Sequence, residues 1–353
     1  MDRASELAAI VAEHSEAVFG RPLTTSEFRL DLLAGGTRQI YRIEPSDPQL
    51  PRIVLKVRTH RRSEDQHAIA VQTEYEFAVH TAVYRAMLDA GREDHAVPAP
   101  LLSVPERGLL FMAQAPGKPV EHWMSRELLG LVRSAENERR VQRCGEWLFS
   151  FATRATPLPR QPVSEAAERV LAAGRVNHHV YCLIGLAGPR LSSRMLEQVR
   201  HRLHSYRIEA RRAGRIQSAF ERVLGRLEGT SDLQGNVHGK YSIADVLISP
   251  DRVVAIDLEQ TATGSLYLDA GYFLYQTLMI TRWRPIGSVR RFGTLRKAFI
   301  AGRAPGGELD ERMLDAFVAY FLVNSLRPGG GVAGLTARAR AGRWIDAWVE
   351  GVA

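Results

Sequence analysis

The sequence predicts an α+β chain built in two parts, a small β-rich N-terminal portion and a larger, mainly helical remainder. Three observations carry that prediction. At 353 residues the chain is longer than one ordinary domain and has ample length for a core. Between residues 28 and 113 short β-rich runs alternate with turn signals. Beyond residue 116 apolar residues recur mostly at helical spacing.

In chain order, residues 4–19 carry Leu7, Ile10, Val11 and Val18 at the spacing of an amphipathic helix. Phe28, Leu30, Leu32 and Leu33 then lead into Ala34-Gly35-Gly36-Thr37-Arg38, and Ile40, Tyr41 and Ile43 follow. This reads as strand, glycine turn, strand. Glycines at such a turn let backbone amides point at a phosphate; an ordinary hairpin turn fits these residues equally well. After a turn at 45–51, the run 52–57 is a strand whose Lys56 faces away from Leu55 and Val57. A basic tract follows (Arg58, His60, Arg61, Arg62), and then a helix over about 66–90 that carries Glu74 and Glu76. A strand lysine paired with a helix glutamate is what gripping α- and β-phosphates requires. Taken singly, each is more often a surface charge.

Val97-Pro98-Ala99-Pro100 breaks the helix and opens two further strands, 101–104 and 109–113, joined at Glu106-Arg107-Gly108. Ala115-Pro116-Gly117 looks like a linker, which divides the chain into 1–115 and 116–353. Helices are expected at 124–134, 137–154, 163–182 and 191–227, the last broken near Gly214, and again at 270–281, 286–302, 309–326 and 334–350. The 190–226 region is dense in arginine. A solvated helix face is the default reading, a surface for an anionic acceptor or a protein partner comes next, and nucleic acid last, since no aromatic interleaving accompanies the charge. His178-His179 with Cys182 lacks the second ligand pair that zinc needs, and adjacent histidines do not share a helix face.

Composition sets the outer limits. Apolar residues are 45% and charged residues 24%, with 47 Lys+Arg against 39 Asp+Glu for a net charge of +8 and a pI near 9.8. A basic balance permits anionic partners without choosing among them. Two cysteines, Cys144 and Cys182, make no disulfide framework. The first residues have no long apolar run like that of a secretory signal, and no stretch approaches the roughly 18–20 apolar residues of a membrane span. The chain reads as cytoplasmic.

The stretch 237–269 concentrates the chemistry. It holds His238-Gly239-Lys240, a carboxylate at Asp245 ahead of Val246-Leu247-Ile248, a turn at Pro250-Asp251, and a second apolar run, 253–256, that delivers Asp257. A hairpin can hold Asp245 and Asp257 close together, and two carboxylates with open positions for phosphates and water suit Mg²⁺.

This order of motifs resembles the aminoglycoside phosphotransferase and choline-kinase-like family, over residues 33 to about 273. The resemblance implies a bilobal protein-kinase-like fold, with a nucleotide-binding N-terminal lobe and a C-terminal lobe carrying a helical acceptor-binding insertion at about 155–230. Leu33-Ala-Gly35-Gly36-Thr37 resembles the nucleotide loop and Ile53-Val-Leu-Lys56 the lysine strand. Glu74, or as second choice Glu76, falls where the helix glutamate belongs. Met112, Ala113 and Gln114 resemble the hinge whose backbone takes the adenine of ATP (or GTP). His238-Gly239 is similar to the catalytic HGD loop, Asp245 to its metal-binding asparagine, and Ile256-Asp257-Leu258-Glu259 to the IDFE segment with the main Mg²⁺ ligand. Gly264 to Asp269 is similar to the segment whose last aspartate fixes the catalytic loop.

Two departures stand out. Lys240 replaces the aspartate that accepts the proton of the acceptor hydroxyl, and Ser265 replaces the aspartate after Gly264. A lysine cannot replace that carboxylate base. Two readings follow with nearly equal weight: a phosphotransferase acting on a hydroxyl of a small molecule or peptide with Lys240, His238 and Asp245 in an altered catalytic loop, or a nucleotide-binding pseudokinase that acts as a scaffold.

Overall fold

The computed structural model describes residues 3–35, 38–58, 66–91, 94–129, 131–153, 183, 186, 188–226, 234–281, 288–306, 309–326 and 331–352. They fall into two units. The first comprises the described residues up to Pro116 together with Val254–Glu259, and the second comprises the others.

In the first unit, α1 (Arg3–Glu13) and α2 (Ser15–Phe19) precede β1 (Phe28–Ala34), β2 (Arg38–Pro45) and β3 (Ile53–Arg58). Helix α3 (Gln66–Asp89), β4 (His95–Ala96), β5 (Pro100–Val104) and β6 (Leu109–Ala113) follow. The strands form a five-stranded antiparallel sheet in the order β1-β2-β3-β6-β5. Alternation along β3 sets its two sides, because successive side chains point to opposite faces. Ile53, Leu55 and Val57 join Ile43, Phe111, Leu7, Val11 and Phe19 in one apolar core. Lys56 and Arg58 occupy the other face, where α3 brings Glu76. The turn between β5 and β6 secures the end of β3: Arg58 N–H donates to Gly108 O at 2.9 Å. Gly108 has φ +65, and a Cβ there would sit 2.8 Å from the Ile69 side chain, so both the backbone angle and the space call for glycine.

The second unit contains β7 (Lys118–Pro119), α4 (Val120–Leu128), α5 (Ser134–Thr153), α6 (Gly188–Ser205), α7 (Ala210–Leu224), β8 (Gln234–Val237) and β9 (Val246–Ile248). Strand β10 (Val253–Ala255) leads into the returning segment of the first unit, and β11 (Ala262–Ser265), α8 (Tyr267–Thr281), α9 (Ser288–Arg303), α10 (Glu311–Asn324) and α11 (Gly331–Val352) complete the chain. Its core is built around α10, in which residues 316–323 are all buried. The start of α10 is capped by Asp310, whose carboxylate accepts from the N–H groups of Arg312 and Met313, as expected of an aspartate N-cap. The expected turn after Ile248 forms, with Ser249 N–H donating to Arg252 O at 3.0 Å. Among the described residues no helix is long and apolar enough to cross a membrane.

Several sequence expectations shift. The arginine-rich helices break at 206–209 rather than at Gly214, which lies inside α7. Arg207 adopts φ +54 there, a left-handed residue that ends a helix. Glycine inside a helix costs roughly 1 kcal/mol, and burial of Ile216, Phe220, Val223 and Leu224 outweighs it. Helix α4 starts at Val120 instead of 124, because Val120 and Met124 both face the interior. The short strands β7, β8 and β11 were not expected; two to four residues are too few to show a period. The arginines are largely committed to the helices themselves. Arg212 makes a two-point contact with Asp346 of α11 at 2.9 Å for each bond, and Arg200 pairs with Glu221 at 2.7 Å. The expected helix at 163–182, with His178, His179 and Cys182, lies outside the described residues.

Helices α5 and α9 approach so closely that backbone meets backbone. A Cβ at Gly302 would fall on the Gln142 carbonyl oxygen, and one at Gly145 on the Phe299 carbonyl oxygen. Gly302→Ala is therefore expected to destabilise the protein by roughly 1–3 kcal/mol through overpacking, measured by denaturant unfolding. Gly214→Ala, with nothing within 4 Å of the new methyl, should be neutral or stabilising.

Candidate functional site

Six charged side chains converge in the first unit. Register pairing sets Arg38 of β2 opposite Arg58 of β3 and Ile40 opposite Lys56. Cross-strand partners and alternate residues share a face, so Arg38, Lys56 and Arg58 project together. Glu76 comes from α3, and Asp257 and Glu259 come from Val254–Glu259. Lys56 Nζ donates to Glu76 Oε1 at 2.7 Å and to Asp257 Oδ1 at 2.5 Å, and lies 3.6 Å from Glu259 Oε2. Arg58 donates to Glu76 Oε2 at 2.6 Å and to Glu259 Oε2 at 2.9 Å. Arg38 pairs with Glu259 Oε1 and stands 3.8 Å from Asp257 Oδ2. Three cations thus face three carboxylates.

Burial makes this network matter. The side chains of Lys56 and Glu76 are 4% and 1% exposed, whereas that of Asp257 is 20% exposed. Burial alone would lower the Lys56 ammonium, but Asp257, Glu76 and Glu259 more than reverse it and hold the lysine well above its ordinary value. Burial would likewise raise Glu76, but Lys56 and Arg58 hold it below the usual carboxylate range. Asp257 sits at φ +66, a left-handed conformation that costs a non-glycine residue roughly 1–3 kcal/mol. The most exposed of the three carboxylates is also the one held in a strained backbone.

The placement corrects one expectation. Glu76, not the first-choice Glu74, meets Lys56, while Glu74 is exposed. Two residues apart, these side chains point about 200° apart around the helix, so only one can face β3. Arg38, Arg58 and Glu259 were missed as members of the network. Arg58 was legible, since it stands two residues beyond Lys56 on the same strand. Gly35 is exposed with open space about it; Gly36 and Thr37 lie outside the described residues. At the expected hinge, Met112 is buried, Ala113 N–H donates to Ala99 O, and Gln114 N–H donates to Arg52 O. The sheet takes both of those donors.

The second unit holds the His238 loop. Asp269, 1% exposed, accepts from His238 N–H at 2.5 Å and from Tyr241 N–H at 3.3 Å. Burial raises its carboxyl, and the loop's hydrogen bonds pull it partly back. Gly239, at φ +83, gives the loop a turn that side chains rarely adopt. The His238 ring is fully buried, edge-on to Trp147 and Tyr241. That enclosure makes it a support of the loop rather than the catalytic group expected from the sequence. Lys240 is 34% exposed, with Nζ 3.7 Å from Asp245 Oδ2. Ser242 Oγ donates to the same oxygen at 2.7 Å. Lys240 and Asp245 are therefore an ion pair on one accessible stretch. Ser265 is buried and accepts from Tyr267 N–H at 3.4 Å. Among the described residues no group of three or more His, Cys, Asp or Glu gathers as metal ligands.

No family model matches the sequence, and no curated protein matches it. Solved structures do resemble the chain. An amicoumacin kinase in complex with AMP-PNP, Ca²⁺ and Ami is 15% identical, with 98% of this chain and 96% of that chain covered and a TM-score of 0.52. A choline/ethanolamine kinase family protein from Mesorhizobium loti is 15% identical over 99% and 98% of the two chains, with a TM-score of 0.52. A macrolide 2'-phosphotransferase from Brachybacterium faecium is 14% identical over 95% and 97%, with a TM-score of 0.51. At these identities the likeness establishes the fold, which is the bilobal α+β protein-kinase-like one.

The two glutamates of α3 are separated by mutation. Glu76→Ala strands two buried cations and is expected to cost roughly 3–5 kcal/mol, whereas Glu74→Ala should change stability by less than about 0.5 kcal/mol, read from denaturant midpoints. Glu76 is held below its ordinary value of 4.5, so its stabilisation is complete above that value and is lost as pH falls through the lower, folded-state value. Unfolding titrations should show that acid-side loss in the wild type and not in Glu76→Gln.

Proposed function

We propose that this protein is an ATP- or GTP-dependent O-phosphotransferase of altered catalytic loop, acting in the cytoplasm on a hydroxyl of a small molecule or peptide. The buried Lys56–Glu76 pair in contact with the accessible carboxylate of Asp257 carries the proposal. A lysine locked onto a helix glutamate is the device that grips nucleotide phosphates in kinases. The kinase-like fold supports the same reading, as do the nucleotide and Ca²⁺ carried by the amicoumacin kinase structure.

The donor chemistry fits Mg²⁺. Asp257 offers carboxylate oxygens on a side chain 20% exposed, and Mg²⁺ asks for one or two such groups. Held at Asp257 with a nucleotide, Mg²⁺ would neutralise charge on the phosphate oxygens. This chain's own part is to orient and to handle protons. Lys56, fixed by Glu76, would hold the phosphates. The Asp269-braced loop would keep Lys240 and Asp245 in place. Asp245 is the carboxylate left to take the acceptor proton, but Ser242 Oγ and Lys240 Nζ already engage its Oδ2.

That same ion pair motivates the second reading, a nucleotide-binding pseudokinase. Two measurements decide. Mg-ATP, or Mg-GTP in a parallel titration, should raise the melting temperature of the wild type, since ligand at a hundred times its Kd adds about 2.7 kcal/mol. Asp257→Ala should abolish the shift; no shift in the wild type with either nucleotide sinks both readings. In an ADP-release assay with candidate acceptors, Lys240→Asp should raise turnover by up to about 10²–10⁴-fold if only the base was lost. Nucleotide binding with no turnover in either protein selects the pseudokinase.

A further inference from the structure

Phosphate binding accounts for Lys56 and Glu76, but not for Glu259. Arg38 and Arg58 are direct cross-strand partners, and like charges in that relation repel. Glu259 lies between them, its Oε1 accepting from Arg38 and its Oε2 from Arg58 at 2.9 Å, with Lys56 Nζ 3.6 Å away. The Glu259 side chain is 5% exposed, against 20% for Asp257 only two residues earlier. A carboxylate this buried, with both oxygens engaged by guanidinium groups, is an anchor rather than a ligand. What it anchors is the short segment Val254–Glu259, which returns to the first unit from far along the chain. Asp257 holds its left-handed φ of +66 within that segment.

We propose that Glu259, clamped between Arg38 and Arg58, is the positioning residue that fastens Val254–Glu259 to the sheet and so keeps the Asp257 carboxylate turned toward Lys56. The clamp stands on the geometry alone. Its consequence for ligand binding rests on the reading of Asp257 as a metal-nucleotide ligand.

The test has two arms. Hydrogen exchange of the ligand-free protein should show the amides of Ile256, Asp257 and Leu258 exchanging about tenfold faster in Glu259→Gln, with α10 unchanged. In nucleotide titrations followed by melting temperature, the same variant should need about ten- to a hundredfold more Mg²⁺ for half of the shift, the size usual when the group orienting a metal ligand is removed. Glu259→Asp, which keeps the charge but shortens the arm, should fall between. Unchanged exchange at 256–258, or faster exchange spread evenly through the first unit, overturns the clamp. Localised exchange in a protein whose wild type shows no nucleotide shift upholds the clamp and rejects the proposed function instead. Should Glu259→Gln fail to fold, Arg38→Gln removes the more exposed arm of the clamp, at 28% exposure, and must give the same localised loosening.

Discussion

A lysine buried in the first unit is the constraint on which the surrounding structure depends. Removing an ammonium from water costs several kcal/mol even after the protein relaxes, so Lys56 can stay charged only where carboxylates meet it closely. Glu76 and Asp257 do so at 2.7 and 2.5 Å. Those carboxylates are themselves desolvated, and Arg58 and Arg38 supply the balancing charge. The network closes with equal numbers of each sign, and removing any member leaves an opposite charge uncompensated. Helix α3, strand β3 and a segment roughly 200 residues beyond β3 are thereby tied to one point. Such a network specifies a geometry more than it adds stability, because a buried ion pair barely repays its own desolvation.

The second unit solves a related problem with backbone instead of side chains. Asp269 spends its carboxylate on main-chain N–H groups of the His238 loop, and aromatic rings close around the His238 imidazole. Gly239 permits the turn that brings those N–H groups round. Nothing in this device reaches outward, whereas Lys240 and Asp245, next along the chain, are partly accessible. Buried Asp269 therefore fixes a loop, while partly exposed Asp245 and Asp257 are available for chemistry. Exposure, more than residue type, separates these carboxylates.

Much of this was legible in the sequence because it follows from local periods. Alternation along β3 sets Lys56 apart from Leu55 and Val57, and the two strands before it read correctly. The choice between Glu74 and Glu76 was harder, though a signal existed. Glu76 shares its helical face with Val79, His80 and Val83, which are buried, whereas Glu74 does not. Arg58 was read with the basic tract that follows it, although the period of two puts it beside Lys56. In the sequence Glu259 stands only as the end of the Ile256-Asp257-Leu258-Glu259 run. Its role depends on pairing with Arg38 and Arg58, about 200 residues distant, and no local period encodes such a contact. The helix break misread at Gly214 fails for the converse reason: a local propensity of about 1 kcal/mol was outweighed by packing.

What Lys240 changes can be bounded by magnitudes. A general base contributes about 10²–10⁴-fold, equivalent to roughly 3–5 kcal/mol at 1.36 kcal/mol per decade. Enzymes commonly lower barriers by about 8–23 kcal/mol, and phosphoryl transfer draws most of that from positioning and electrostatics. On the proposed reading, the Lys56–Glu76–Asp257 network belongs to that larger share. Beside it, the Lys240–Asp245 pair is a weak interaction, since both groups are partly exposed and such pairs are worth about 0–1 kcal/mol. On the proposed phosphotransferase reading, a lysine at this position forgoes the smaller of the two contributions. Slow transfer is then the expectation, and nucleotide binding is the property that this reading leaves least affected.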